Sequence, residues 1–75
     1  MKLDRITFDS KIMGGRACIR GMRITVSQVV NLVANGMTSA DIIHDYPYIE
    51  EEDIRQALHY AAQLTEEEVH PVSTR

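Results

Sequence analysis

Residues 14–25, GGRACIRGMRIT, decide how this chain folds. They hold three of its four glycines, its one cysteine and three of its eight lysine and arginine residues. A tight turn at Gly21-Met22 would pair Ile19 with Ile24 and Cys18 with Thr25. Glycine first and a non-glycine second is the type II′ pattern, whose twist suits a hairpin. That register sets Ile19 and Ile24 on one face and Arg20 opposite Arg23 on the other. Like charges directly opposite on paired strands repel, so these arginines need relief. Relief comes from a nucleic-acid phosphate or guanine edge, from the chain's own Glu51, Glu52 or Asp53, or from both side chains splaying into water.

A two-stranded hairpin is not stable alone. Upstream, RITFD at residues 5–9 alternates polar and apolar, with Ile6 and Phe8 on one side, and reads as a short strand. Downstream, three helices follow. Thr25 and Gln28 form a T-x-x-Q capping box for the first, which carries Val26, Val29, Val30 and Val33 on one face. Valine is a weak helix former, so packing must sustain this helix. Asn35-Gly36 ends it. Thr38 caps the second helix with Asp41 as acidic partner; Ile42, Ile43 and Tyr46 supply its apolar side and Pro47 stops it. The third opens on EEED at residues 50–53, four acids at the positive end of the helix dipole. Its apolar stripe is Ile54, Ala57, Leu58, Ala61, Ala62 and Leu64, and it is expected to run to Glu67 or Glu68.

The expectation is a mainly α fold: a three-helix, helix-turn-helix-like domain with a short N-terminal β-strand and β-hairpin. Residues 1–75 form one domain, with a basic strand and hairpin segment at 1–25, a helical segment at 26–68 and a flexible tail at 69–75. A chain of 75 residues buries a small core. One cysteine cannot form an internal disulfide, and the three histidines lie far apart without metal-ligand spacing, so no cofactor or metal is expected. Self-association, or a partner chain, is the remaining support. Strand segments could be exchanged between subunits. A lone cysteine with no signal peptide fits the cytoplasm, and the short apolar runs exclude a membrane span.

Charge is unevenly divided. Residues 1–37 carry six cations and two acids, and residues 38–75 two cations and nine acids. The halves either neutralise each other or serve different partners. Catalysis finds little support. Cys18 has no histidine near it in sequence and reads as a small core residue, and EEED reads as a solvated, dipole-satisfying run rather than a cation site. No enzyme is expected. In a helix-turn-helix the second helix enters the major groove, but here that helix begins with acids that phosphate would repel. The better nucleic-acid candidates are Arg5, Lys11, Arg16, Arg20 and Arg23 of the basic half, because a two-stranded ribbon also fits the major groove. The acidic third helix instead suits a basic protein partner, with Ile54, Leu58, Ala61 and Leu64 as anchors.

The combination of GG-x-x-CIRG-x-RI, the V-S helix start, the NG break and DYP...EEDI resembles the domain of unknown function 433 family over roughly residues 5 to 62. That resemblance implies a small helix-turn-helix domain of antitoxin-like type. Such domains are commonly encoded beside a PIN-like nuclease, as VapB-type antitoxins are. The family more often has proline at positions 10, 17 and 25, where Ser10, Ala17 and Thr25 stand here, and threonine at 22 and 50, where Met22 and Glu50 stand. The functional expectation is an antitoxin-like regulator. It neutralises a PIN-like toxin nuclease through its C-terminal half and binds operator DNA as a homodimer through its basic half. The alternative is a homodimeric adaptor that binds protein and not DNA, with the arginines used internally.

Overall fold

The computed structural model describes residues 2–65. It contains strands β1 (Ile6–Thr7) and β2 (Cys18–Ile19) and helices α1 (Val26–Ala34), α2 (Ser39–Asp45) and α3 (Glu51–Leu64). The fold is mainly helical, with a short antiparallel strand pair near the N-terminus. The continuation expected to Glu67 or Glu68 and the tail at 69–75 lie outside the described residues.

Local chemistry places the helices where the sequence predicts. Thr25 Oγ1 accepts from Gln28 N at 3.1 Å and Gln28 Oε1 accepts from Thr25 N at 3.0 Å, closing a reciprocal capping box. Gly36, at φ +93°, ends α1 in a left-handed conformation. Its N–H donates to the Val33 carbonyl and that of Met37 to Leu32, the two bonds of a Schellman motif. Thr38 and Asp41 repeat the capping box on α2 at 3.1 and 3.0 Å. Tyr46 closes α2 directly before Pro47.

The hairpin differs in two respects. First, the regular strand pair is β1 with β2, in the register Ile6↔Ile19 and Thr7↔Cys18. The returning arm is one isolated bridge, Cys18↔Thr25. The expected cross-strand partners are kept, since Ile19 N donates to the Ile24 carbonyl at 3.0 Å. Second, the turn sits one residue earlier. Met22 N donates to the Ile19 carbonyl at 2.8 Å, so Arg20 and Gly21 are the central residues, at φ +46° and +72°. Positive φ at both central positions belongs to the I′ family rather than II′. Thr7 braces the turn, its hydroxyl accepting from Gly21 N at 2.8 Å and donating to the Cys18 carbonyl at 3.4 Å. Glycine takes this conformation freely, whereas an arginine there costs on the order of 1–2 kcal/mol.

The core gathers Ile19, Ile24, Val26, Val29, Ile42, Ile49, Ile54 and Ala57. Burying each isoleucine or valine stabilises by roughly 1.5–3 kcal/mol relative to exposure. Ile49, in the link between α2 and α3, is 1 % exposed and pins that link to the core. Helix α1 packs mainly on α3, and β1 also touches α3. Of the α3 stripe, Ile54 and Ala57 are buried, whereas Leu58 and Leu64 are not. Cys18 is buried, as a small core residue.

Candidate functional site

The first turns of α3 hold the densest polar cluster among the described residues. Asp53 is fully buried at its centre. Its Oδ1 accepts from Arg5 Nη1 and from Arg20 Nε, both at 3.0 Å. Its Oδ2 accepts from Arg20 Nη2 and from Glu50 N, both at 2.8 Å. Every lone-pair direction of the carboxylate is therefore used, which a buried charge requires. Arg20 grips it in the bidentate geometry peculiar to guanidinium and also donates to the Tyr48 carbonyl at 2.7 Å. Arg5 Nη1 also reaches Glu50 Oε1 at 2.6 Å.

Burial pushes the Asp53 carboxyl upward, but the bonds from Arg20, from the Glu50 N–H and from Arg5 outweigh it and leave it below the ordinary carboxylate value. Both arginines are raised above theirs, Arg5 chiefly by Glu50 and Arg20 chiefly by Asp53. Two guanidinium and two carboxylate groups make the cluster neutral. The Glu50 side chain turns to Arg5, and the Glu50 N–H is capped by Asp53 Oδ2.

Gln56 extends the cluster. It is 3 % exposed, and its Oε1 accepts from Arg5 N at 2.9 Å. Its Nε2 donates to Asp4 Oδ1 at 2.9 Å and to Glu52 Oε2 at 3.1 Å. The segment around β1 is thus fastened to α3 by side chain and backbone together. The bond from Gln56, then that from Arg55, holds the Glu52 carboxyl below its usual range.

The structure separates the five basic candidates. Arg5 and Arg20 are held by acids of α3, whereas Lys11, Arg16 and Arg23 are exposed. Arg20 and Arg23 do not converge on one anion as the II′ register requires. The arginines brought together are Arg5 and Arg20. Arg23 has no ion-pair partner among the described residues. Of the four partner-binding candidates, Ile54 belongs to the core and is unavailable to a partner. Leu58 and Leu64 are 38 % and 64 % exposed.

Ala61 and Leu64 line an open groove of about 480 Å³ between α1 and α3. Ala17, Val26 and Val30 form its apolar wall, and Arg16, Ser27 and Asn31 its polar side. Tyr60, also in the groove, meets the exposed Phe8 edge-on at 5.9 Å. The sequence offers Asp53 as one anion for Arg20 but reads it as part of a solvated run, and it gives no role to Gln56, although the signal for the burial of both is present. Positions 53, 56, 57, 60 and 64 recur at helical spacing, so both polar residues share the inner face with Ala57. Among the described residues no group of three or more His, Cys, Asp or Glu could hold a metal, and no helix is long and apolar enough to cross a membrane.

A short strand pair buttressing three capped helices, fastened by a buried carboxylate, defines a small helical domain class. The chain belongs to the family described as protein of unknown function (DUF433), which matches residues 6–61. It is similar to the crystal structure of a DUF433 member protein from Anabaena variabilis ATCC 29413, with a TM-score of 0.77 and 31 % identity over 85 % of this chain. The match takes in 63 % of the Anabaena chain, less than two thirds of its length. No curated protein matches.

Proposed function

We propose that this domain is an antitoxin-like, protein-binding regulator: a cytoplasmic homodimer, without catalysis of its own, that engages a PIN-like nuclease through α3. The carrying observation is the outer surface of α3. Leu58 stands 38 % exposed on the helix whose first turn presents the exposed Glu51 and the half-buried Glu52 to solvent. An amphipathic acidic helix with an uncovered leucine suits a basic protein surface. A nuclease, whose active face must attract phosphate, has that character. The family resemblance supplies the partner's class.

Neutralisation of Arg5 and Arg20 favours protein binding over a hairpin that reads DNA. Exposed Lys11, Arg16 and Arg23 support a second reading, in which the dimer or the toxin complex also grips operator DNA. Co-expression with the product of the adjacent gene, followed by affinity purification, tests the first reading. Copurification that is lost in Leu58→Asp is expected; absence of copurification from the native chain overturns it. Titration with promoter DNA at several salt concentrations tests the second. Binding that weakens steeply with salt is expected; no binding at low salt leaves the adaptor alone.

A further inference from the structure

We infer that α1, and not the acidic α3, is the helix that reads DNA, with Asn31 and Ser27 on base edges in the major groove and Arg16 and Arg23 on the phosphates beside it. This deepens the second reading of the function, operator binding, and rests on it.

The sign of the charge selects the helix. Residues 10–40 contain Lys11, Arg16, Arg20 and Arg23 and no aspartate or glutamate. All of α1 lies inside that stretch, whereas the first turn of α3 presents the exposed Glu51 and the half-buried Glu52. Asp53 engages Arg20. Arg16 and Arg23 are exposed and stand in no ion pair among the described residues. A phosphate backbone is drawn to unpaired cations and repelled by exposed acids. Duplex DNA therefore complements α1 and the segments leading into it rather than the start of α3.

The fold brings both cations to the beginning of α1. Val26 N donates to the Ala17 carbonyl at 2.9 Å, which ties the segment of Arg16 and Ala17 to the first residue of the helix. Arg16 lines the groove along which Ser27 and Asn31 stand. Arg23 lies just before the Thr25 cap.

The outer face of α1 has the chemistry of base readout. Val26 and Val29 are buried, and Ser27, Gln28, Asn31 and Ala34 are exposed. Positions 27, 28, 31 and 34 form one stripe at helical spacing. An amide side chain bonds the N6 and N7 edge of adenine with two hydrogen bonds, and a hydroxyl donates or accepts. Gln28 Oε1 is committed to the N–H of Thr25, which leaves Asn31 as the bidentate reader and Ser27 as its neighbour one turn earlier. The stripe offers no large aromatic or arginine anchor of the kind that dominates a protein contact.

Anisotropy titrations of the full chain test this, comparing a duplex from the promoter of its own gene with a scrambled duplex of equal length and composition, each at several salt concentrations. The native protein is expected to prefer the promoter. Asn31→Ala should reduce that preference by roughly tenfold and leave the salt dependence unchanged. Arg16→Ala and Arg23→Ala should weaken binding to both duplexes alike, each lowering the salt slope by about one. Circular dichroism checks that each variant keeps its helices. Promoter preference that survives in Asn31→Ala, and in Asn31→Ala combined with Ser27→Ala, overturns the inference and leaves operator binding to another element. Equal affinity of the native protein for both duplexes overturns it too, since no base is then read. No binding to either duplex at low salt overturns both the inference and operator binding, and leaves the nuclease reading standing.

Discussion

The two halves of α3 reverse the usual rule of burial. In its first half an aspartate and a glutamine are nearly inaccessible, at 0 % and 3 % exposure. In its second half Leu58 and Leu64 face outward. The first half meets partners within the chain: Arg20 from the turn, Arg5 from beside β1 and a backbone N–H from the helix's own cap. The second half meets α1 on one side and solvent on the other. Burial follows where partners are, not residue type alone. A carboxylate can be buried if every acceptor position is filled, and a leucine stays exposed where none of the described residues covers it.

Removing Asp53 should break this contrast most severely. Asp53→Ala leaves Arg20 without its anion and Arg5 with Glu50 alone. Breaking a buried ion pair costs about 3–5 kcal/mol. Arg5 and Arg20 keep 28 % and 35 % of their side-chain surface exposed, and reorientation into solvent should bring the loss to roughly 2–3 kcal/mol. Urea denaturation measures it. The same residue sets an acid limit. Its folded carboxyl binds its proton less readily than the unfolded one, so its contribution is present above the unfolded value and lost as pH falls through the folded value. Denaturation between pH 5 and about 2 should show native stability dropping more steeply than that of Asp53→Asn, in which the titrating group is absent.

A smaller effect separates the turn's strain from its ion pair. Arg20→Ala loses the bond to Asp53 and keeps a side chain at φ +46°. Arg20→Gly loses the same bond but relaxes the backbone, against a greater loss of chain entropy. The glycine variant should be the more stable of the two by about 0.5–1 kcal/mol. A glycine variant less stable than the alanine variant would place the turn in the expected II′ register, where position 20 is not left-handed and only the entropy loss remains. The smallest effect belongs to Arg23→Ala, which touches no ion pair among the described residues and should change stability by less than about 0.5 kcal/mol. A larger loss would mean that Arg23 supports the fold as Arg20 does.

The turn's position and the burial of Asp53 escape a local reading for related reasons. RGM offers Gly21 to either of two turns: first central residue with Met22 after it, or second with Arg20 before it. Local preference favours the former, because only glycine then carries positive φ. The structure takes the latter. Thr7 braces Gly21 from a neighbouring strand, and the guanidinium of Arg20 lands on Asp53, 33 positions away. EEED, read locally, is a run of dipole-satisfying acids. Glu51 fits that reading; Asp53 does not, because its place on the helix turns it inward.

The sequence by itself determined the helices, their caps, the pairing of Ile19 with Ile24 and most of the apolar core. Capping boxes, the Schellman turn and the stop before Pro47 act within a few residues, so the local string contains the whole interaction. Tertiary structure alone decided where the charges went. The opposite charges of the two halves were equally compatible with DNA or with each other. Only folding brings Arg5 within 3.0 Å of Asp53 across 48 positions. An arginine pairs with whichever acid the packed backbone delivers to it, and that delivery depends on contacts no local pattern encodes.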